Sequence, residues 1–251
     1  FYEVTLDPER PDRYLFDGGS IPFETETVTI ETNGQGTRSR ESWWSPLGPV
    51  VHKTANKAYI LRSAGQGQYR TGLQWYRMAQ ARNLAEFRDA LAMQALPMFN
   101  VIYADREGNI LYLWNGTVPM LPHASHRFEP VPASRTEEIW TAVHPIEDLM
   151  RLENPRGGYV QNCNSPPYFT SLEAPLTRED FPHYFSDNDL NLRTQQGLSL
   201  IHNGGLFTLE SLADAKFSTR FLLADRVKGD LLAALDSAAL SAEQKAAAKM
   251  L

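Results

Sequence analysis

Hydrophobic and polar residues alternate through much of the first 62 residues, and this two-residue period indicates half-buried β-strands. The alternation is strictest over residues 25–31, where the sequence reads TETVTIE. A tight-turn signal, Asn33-Gly34, follows this run. We therefore predict a mostly antiparallel sheet whose strands cover residues 1–6, 13–16, 25–31, a run ending at Trp43-Trp44, 49–52 and 58–62.

The period changes after residue 62, where apolar residues recur three to four positions apart, as on one face of a helix. One helix is predicted to begin at Thr71. Its face is formed by Leu73, Tyr76, Arg77 and Gln80, with Trp75 and Met78 on the flank. A second helix begins after Asn83, because Glu86 three residues later completes a capping-box pattern, and it ends before Pro97. Its apolar face is formed by Leu84, Phe87, Ala90 and Leu91.

The rest of the chain combines one clear hairpin with long irregular stretches. Residues 99–103 and 110–114 are apolar runs joined by a loop that contains Gly108, which predicts a β-hairpin. We expect a short helix over 146–152, irregular segments over 117–132 and 166–191, and helices over 208–217, 219–235 and 241–251. The fold class is therefore α+β, and we expect a single domain over residues 1–251.

Composition and charge exclude several classes of protein. The 251 residues carry a net charge of −6 with no basic stripe, which argues against a nucleic-acid partner. No apolar run approaches the roughly 20 residues that a membrane-spanning helix needs. The single cysteine, Cys163, excludes an internal disulfide and any site with several cysteine ligands.

Most local patterns of reactive residues are too incomplete to define a site. His123 and His126 are three residues apart, but Pro122 breaks any helix there and no carboxylate or third histidine lies at ligand spacing. We therefore do not predict zinc binding. The Asp187-Asn188-Asp189 run lacks the glycine and glutamate of an EF-hand loop, and we interpret it as a solvated turn. The glycines at 65 and 67 lack the lysine of a phosphate loop. We expect neither a metal nor a cofactor.

One segment stands out as a candidate site because two glycines precede it and two prolines end it. Tyr159 and Val160 predict a short strand, which must end at Pro166 because proline lacks an N–H and restricts Ser165 before it. Asn164 is then expected at a strand end, where a side-chain amide can donate hydrogen bonds into a cleft. An ordinary turn role for Asn164 remains the alternative.

Several segments in fixed order resemble the penicillin acylase family, which includes acyl-homoserine lactone acylases and cyclic-lipopeptide acylases. They are FYEVTLDP at residues 1–8, RYLFDG at 13–18, GPVV at 48–51, QWY at 74–76, YAD at 103–105, GNI at 108–110 and GYVQNCN at 158–164. The resemblance spans most of the chain, to about Arg226. It implies part of an αββα four-layer core of an N-terminal-nucleophile hydrolase, built from antiparallel sheets and helices.

The resemblance also implies a reaction and a set of roles. In this family an N-terminal serine, exposed when a precursor is cleaved, attacks the amide with its own α-amine as base. Asn164 matches the asparagine that donates to the oxyanion, and Arg193 lies where the family places a supporting arginine. Trp75, Met98 and Phe99 match positions that line the acyl pocket. Residue 1 is Phe, so we expect an internal part of the β subunit that is inactive alone, with the α subunit and the rest of the β subunit as its partners.

Three readings of function remain open from the sequence. The first is an acylase acting on N-acyl amides, with long-chain substrates such as acyl-homoserine lactones or lipopeptides favoured over penicillin, in the periplasm or secreted. The second is a non-catalytic structural or binding module derived from the same fold. The third is a different hydrolase that uses Cys163 as nucleophile, although a lone cysteine is more often a small buried hydrophobe.

Overall fold

The computed structural model describes residues 1–121, 129–202, 205–237 and 240–248. Its first part is a large sheet, whose strands are β1 Tyr2–Asp7, β2 Arg10–Phe16, β3 Gly19–Pro22, β4 Glu24–Thr32, β5 Gly36–Ser45, β6 Gly48–Lys53, β7 Lys57–Ile60 and β10 Val131–Pro132. The strand order is β3-β2-β1-β7-β6-β5-β4, and β10 pairs in parallel with β1. Consecutive neighbours along this order are antiparallel, as predicted.

The strictest alternation in the sequence does not correspond to a buried face. β4 and β5 form a long ribbon through nine residue pairs, and β4 is exposed along nearly its whole length. The buried positions lie instead on β1, β2 and β7, where Val4, Ala58 and Ile60 are fully buried and Tyr14 nearly so. The β-branched threonine, valine and isoleucine residues therefore favour the strand conformation of β4, although its side chains are not buried in a core.

The second sheet contains the predicted hairpin. β8 Met98–Ala104 and β9 Ile110–Gly116 pair antiparallel, and β11 Arg151–Glu153 pairs with the other side of β9. Asp105 closes the turn by accepting the backbone N–H groups of Glu107 and Asn109 at 3.0 and 2.9 Å. The expected helix over residues 146–152 was wrong, because a 3₁₀ turn at Ile146–Asp148 leads directly into β11.

Two helices pack on the second sheet, α1 Thr71–Gln80 and α2 Leu84–Leu91. The Asn83 N-cap is confirmed, since its side chain accepts the Glu86 N–H at 2.9 Å. The apolar face of α2 is buried as predicted. These helices contribute to an apolar cluster with both long strands of the hairpin and with Tyr168 and Phe185 from the loop beyond.

The predicted face of α1 was wrong. Leu73 and Tyr76 are exposed, whereas Gln74 is fully buried. The Gln74 Oε1 accepts the backbone N–H groups of Ala95 at 2.6 Å and Leu96 at 3.0 Å. A buried donor left without a partner is costly, so the need to pair these two amides buries Gln74 and leaves the neighbouring Leu73 exposed.

The C-terminal part is helical, with one helix more than the pattern predicted. The helices are α3 Leu192–Ile201, α4 Leu209–Lys216, α5 Leu222–Ser237 and α6 Ala242–Ala248. α3 was not predicted, because its apolar residues are few and it follows a long irregular segment. No helix in the described ranges has both the length and the apolar character to cross a bilayer.

Candidate functional site

The segment around Asn164 is a turn and not the predicted strand end. Residues 159–165 form no strand, and Gln161 makes a single backbone hydrogen bond, from its N–H to the Thr170 carbonyl oxygen at 3.0 Å. The Gln161 Nε2 donates to the Phe169 carbonyl oxygen at 2.6 Å. This buried glutamine thus joins the turn to the loop beyond it, and no continuous strand ladder is needed.

The side chain of Asn162 shapes the turn that carries Asn164. Its Oδ1 accepts the Asn164 N–H at 2.7 Å, and its Nδ2 donates to the Ser165 carbonyl oxygen at 3.0 Å. Asn164 has a φ of +57°, a left-handed conformation that asparagine adopts more readily than most residues. We did not predict these two hydrogen bonds of the Asn162 side chain, although the Asn-Cys-Asn spacing in the sequence is the signal that indicates them.

Helix α3 brings Arg193 to the turn. Asn191 caps the helix by accepting the Thr194 N–H at 3.0 Å. Arg193 then projects from the first turn, and its Nη2 donates to the Cys163 carbonyl oxygen and, at 2.6 Å, to Asn164 Oδ1. The structure therefore brings together the two residues to which the resemblance gave catalytic roles.

Glycine at position 197 allows α3 to lie directly against the turn. A Cβ added there would lie 2.7 Å from Cys163 Sγ and 3.3 Å from Gln161 Oε1. Real Cβ atoms essentially never approach a heavy atom as closely as 2.7 Å, so a larger residue at position 197 would require the helix or the Cys163 side chain to shift. This close contact, which depends on the unpredicted helix, was also absent from the sequence-based expectation.

The contact with Arg193 fixes the direction of the Asn164 amide. Because Oδ1 accepts from the guanidinium, Nδ2 must point away from it. Asn164 is exposed, and Nδ2 donates no hydrogen bond within the described ranges. Two N–H donors are thus held in a defined direction at the surface, which is the property that an oxyanion donor requires.

The cavities described in this structure lie away from the Asn164 amide. Cavities of about 330, 220 and 400 Å³ lie beside the second sheet and its helices, and Asn164 lines none of these three. Within the described residues, the geometry around Asn164 therefore supplies an oriented donor that lies outside these three cavities.

The predicted acyl-pocket residues lie on α1 and β8. The Trp75 ring packs edge-on against the Phe99 ring, with 5.5 Å between centroids and 76° between planes. Trp75 also lines the cavity of about 400 Å³ between α1, α2 and β8. Met98 precedes Phe99 on β8, and both are exposed. No hydrogen bond or ring contact in the described part of the chain joins this group to Asn164.

Within the described residues, neither Cys163 nor the Asp187–Asp189 run has partners that would form a reactive site. Cys163 is half-buried, and its thiol donates to Gln161 Oε1 at 3.7 Å, which offers no base to generate a thiolate. The described residues contain no group of three or more His, Cys, Asp or Glu side chains that could hold a metal ion, at Asp187–Asp189 or elsewhere. His123 and His126 lie outside the described residues.

Comparison with known proteins gives one family. Residues 1–251 match the model of the penicillin amidase family. An acyl-homoserine lactone acylase, PvdQ, from Pseudomonas fluorescens is 29% identical over 92% of this chain and 33% of its own length. Aculeacin-A acylase from Actinoplanes utahensis is 28% identical over 93% of this chain and 34% of its own. Penicillin G acylase from Escherichia coli is 30% identical over 64% and 19%.

A solved structure supports the fold. The thermostable penicillin G acylase from Alcaligenes faecalis superposes with a TM-score of 0.69 at 23% identity, and the match covers 100% of this chain and 44% of that one. This likeness shows a shared arrangement of helices and antiparallel sheets. The chain spans about a third of the length of the first two curated relatives.

Proposed function

The chain belongs to the penicillin amidase family, and from this premise we propose that it forms part of an acylase, a hydrolase that removes the acyl group from a linear amide. Within that enzyme it is a segment of the β subunit that folds as one domain. Its partners are the α subunit and the remainder of the β subunit. The enzyme acts in the periplasm or after secretion.

The observation that carries the proposal is the fixed amide of Asn164. Attack on an amide carbonyl places negative charge on its oxygen, and donors that are already oriented towards that oxygen stabilise the transition state. The Arg193 guanidinium donates a hydrogen bond to Asn164 Oδ1 at 2.6 Å, so the amide can present only its N–H groups to a reacting oxygen. An unrestrained surface asparagine would sample both orientations, and in one of them its carbonyl oxygen would face the oxyanion and repel it.

The nucleophile in this proposal comes from another segment of the enzyme. It is an N-terminal serine released by cleavage of a precursor, and its α-amine acts as the base. An α-amine has a pKa of about 7.7–8.0, close to the pH at which a base must accept a proton. In this proposal the chain described here supplies the oxyanion donor, and the serine is contributed by the other segment.

The favoured substrates are amides of long acyl chains, such as acyl-homoserine lactones or lipopeptides. Two relatives in the comparison are named for such substrates, an acyl-homoserine lactone acylase and aculeacin-A acylase. The paired rings of Trp75 and Phe99 offer an exposed apolar surface for an acyl chain. Apolar walls of this kind line most small-molecule sites.

The test uses the full-length enzyme expressed from the complete gene. It is assayed against dodecanoyl-homoserine lactone, an acylated cyclic lipopeptide and penicillin G. We expect the first two to be cleaved faster. If only phenylacetyl amides such as penicillin G were cleaved, the preference for long acyl chains would be wrong. A precursor that has no cleavage site before an internal serine would contradict the proposal that the enzyme is an acylase.

Two substitutions separate the Asn164 side chain from its backbone. Glycine accepts a φ of +57° without strain, so Asn164→Gly should preserve the turn and lower kcat by about 10²–10³-fold. Asn164→Ala loses the same amide and adds backbone strain. Asn33→Ala, an exposed turn asparagine on the β4–β5 ribbon, is the matched control and should leave kcat unchanged. Full activity of the Asn164→Gly variant would show that the Asn164 amide does not stabilise the oxyanion.

A non-catalytic binding module is the second candidate. It is favoured by one observation, the position of Asn164 outside the three described cavities. The same assays decide between the two, since a binding module predicts no hydrolysis by the full-length protein and no effect of Asn164→Gly beyond stability.

A further inference from the structure

The first turn of helix α3 contacts the turn at Asn164 through Arg193, and the other end of the helix has a contact of its own. That end is the C-cap residue His202. The His202 N–H continues the helical pattern by donating to the Leu198 carbonyl oxygen at 2.9 Å, so its imidazole is held at the end of the helix. The contacts of this ring therefore affect how the whole helix lies.

The His202 ring contacts two oxygen atoms from the loop around the turn. Its Nδ1 lies 3.0 Å from the Tyr159 hydroxyl oxygen and 3.5 Å from Glu173 Oε1. A carboxylate can only accept a hydrogen bond, so this arrangement favours the tautomer in which Nδ1 carries the proton. The Tyr159 and His202 rings also meet edge-on, with 6.1 Å between their centroids. The far end of α3 is thus bound to a residue only five positions before Asn164.

The two residues that contact the imidazole are themselves held by the loop. The Tyr159 hydroxyl also accepts the Leu172 N–H at 3.0 Å, and Arg156 Nε donates to the Glu173 carbonyl oxygen at 2.6 Å. Gly157 provides room for this arrangement, because a Cβ there would lie 2.7 Å from Glu173 Oε2. The oxygen atoms that face the imidazole therefore belong to a loop with its own hydrogen bonds, and not to two mobile side chains.

Between its two ends, α3 touches the same turn at Gly197, which lies directly against Cys163. Gly197 is four residues after Arg193 and five residues before His202. A helix of ten residues is about 15 Å long, and one that touches its support near the middle can tilt about that contact unless both ends are fixed. A tilt that moved His202 away from the loop would move Arg193 at the opposite end of the helix.

We propose that His202 is a positioning residue of the candidate site. Its contact with Tyr159 keeps α3 from tilting about Gly197. The Arg193 guanidinium thereby stays on Asn164 Oδ1, and the amide keeps its direction. The proposal rests on the proposed function in one respect, that the Asn164 amide serves an acylase. His202 acts through the helix and not by contact with the substrate.

Alkylation of Cys163 tests the attachment of α3 without any substrate. The thiol is half-buried and lies against Gly197, so movement of the helix away from the turn exposes it. The reaction rate of a protected group follows the population of the open state. The full-length enzyme is treated with iodoacetamide under native conditions, and the peptide that contains Cys163 is followed by mass spectrometry. We expect His202→Leu to raise the alkylation rate by about three- to tenfold, as the loss of one hydrogen bond implies.

Matched variants separate the imidazole contact from a general loss of structure. His202→Asn places an amide donor close to the position of Nδ1 and should restore the native rate. Tyr159→Phe removes only the partner hydroxyl and should raise the rate as His202→Leu does. His52 on β6 is the control, because it also contacts a tyrosine ring, that of Tyr59, with 5.7 Å between centroids. His52→Leu should leave the rate unchanged. An unchanged rate in both His202→Leu and Tyr159→Phe would overturn the proposal.

Steady-state kinetics of the full-length enzyme test the connection to Asn164. We expect His202→Leu to lower kcat by about three- to tenfold with KM nearly unchanged, because the amide is then correctly directed for a smaller part of the time. The double variant His202→Leu/Arg193→Met should be no slower than Arg193→Met, because His202 acts through Arg193. A native kcat despite faster alkylation, or fully additive losses, would reject the positioning role. If the native enzyme hydrolyses no acyl amide while alkylation follows the expected order, the attachment of α3 stands and only the proposed function is rejected.

Discussion

Arg193 and Asn164 lie 29 residues apart in the sequence, and the Arg193 guanidinium donates to Asn164 Oδ1 at 2.6 Å. This contact determines which end of the amide faces outward. The same nitrogen of Arg193 donates to the Cys163 carbonyl oxygen, so the arginine holds both the backbone and the side chain of the turn. In the proposed acylase, Arg193 is therefore a positioning residue that acts through Asn164.

Removing the guanidinium should lower activity only through Asn164. Arg193→Met keeps an unbranched side chain without donors, and we expect kcat of the full-length enzyme to fall by about tenfold with KM nearly unchanged, because the amide can then rotate. The double variant Arg193→Met/Asn164→Ala should be no slower than Asn164→Ala. Steady-state kinetics of the four forms measure this coupling.

The matched control for this cycle is an arginine of α5 that contacts the same helix, α3. Arg226 donates to Gln195 Oε1 at 2.6 Å, another exposed contact between an arginine and a side-chain amide of α3. Arg226→Met should leave kcat unchanged. Fully additive losses for Arg193 and Asn164 would show that Arg193 acts independently of the amide.

Packing of α3 on the turn gives a second prediction. Gly197→Ala would place a Cβ 2.7 Å from Cys163 Sγ, and overpacking of this kind costs about 1–3 kcal/mol of unfolding free energy. Cys163→Ala removes the opposing sulfur and should restore most of that loss in the double variant. Denaturant unfolding of the three variants measures the effect.

A glycine without near neighbours serves as its control. Gly229 lies in α5, and a Cβ there would meet nothing within 4 Å. Gly229→Ala should raise stability by about 0.5–1 kcal/mol, since alanine favours helix. If Gly197→Ala were equally stabilising, α3 would not be in close contact with the turn.

The buried Gln74 should be essential to the stability of α1. Gln74→Leu leaves the N–H groups of Ala95 and Leu96 without their acceptor, and we expect the free energy of unfolding to fall by about 3 kcal/mol. Gln80→Leu, at an exposed position of the same helix, should change it by less than about 0.5 kcal/mol. Equal effects at both positions would contradict the two hydrogen bonds.

The hairpin turn predicts an acid-sensitive contribution to stability. The Asn109 side chain, which donates to Asp105 Oδ2 at 2.9 Å, is the main cause that lowers the Asp105 pKa, and the Asn109 N–H adds to it. A carboxylate with a lowered folded pKa stabilises above its unfolded pKa of about 3.9. That contribution is lost as the pH falls through the lower, folded value.

Unfolding between pH 6 and pH 2.5 (about the range that spans the aspartate pKa) measures this dependence. Asp105→Ala should be less stable than the native chain at pH 6, and the difference should shrink towards acid pH. Asp89→Ala removes an exposed carboxylate of α2 and controls for net charge. A difference that is constant with pH would exclude the Asp105 contribution.

Local sequence signals were sufficient where the stabilising partners lie close in the chain. The Asn83 cap and the hairpin around Asp105 were predicted because donor and acceptor are within four residues of each other. Errors came where distant backbone decided a position. The face of α1 was wrong because the two amides that bond Gln74 lie more than 20 residues away.

By itself, the sequence determined the antiparallel strands, the capped helix α2 and the identity of the residues at the candidate site, since turns, caps and periodicity are properties of neighbouring residues. Only the tertiary structure decided the orientation of the Asn164 amide and the attachment of α3 at its far end. The first depends on a helix that approaches through Gly197, and the second on the contact of His202 with Tyr159, 43 residues away. Both are set by contacts between segments far apart in the chain, and local hydrophobic periodicity carries no information about such contacts.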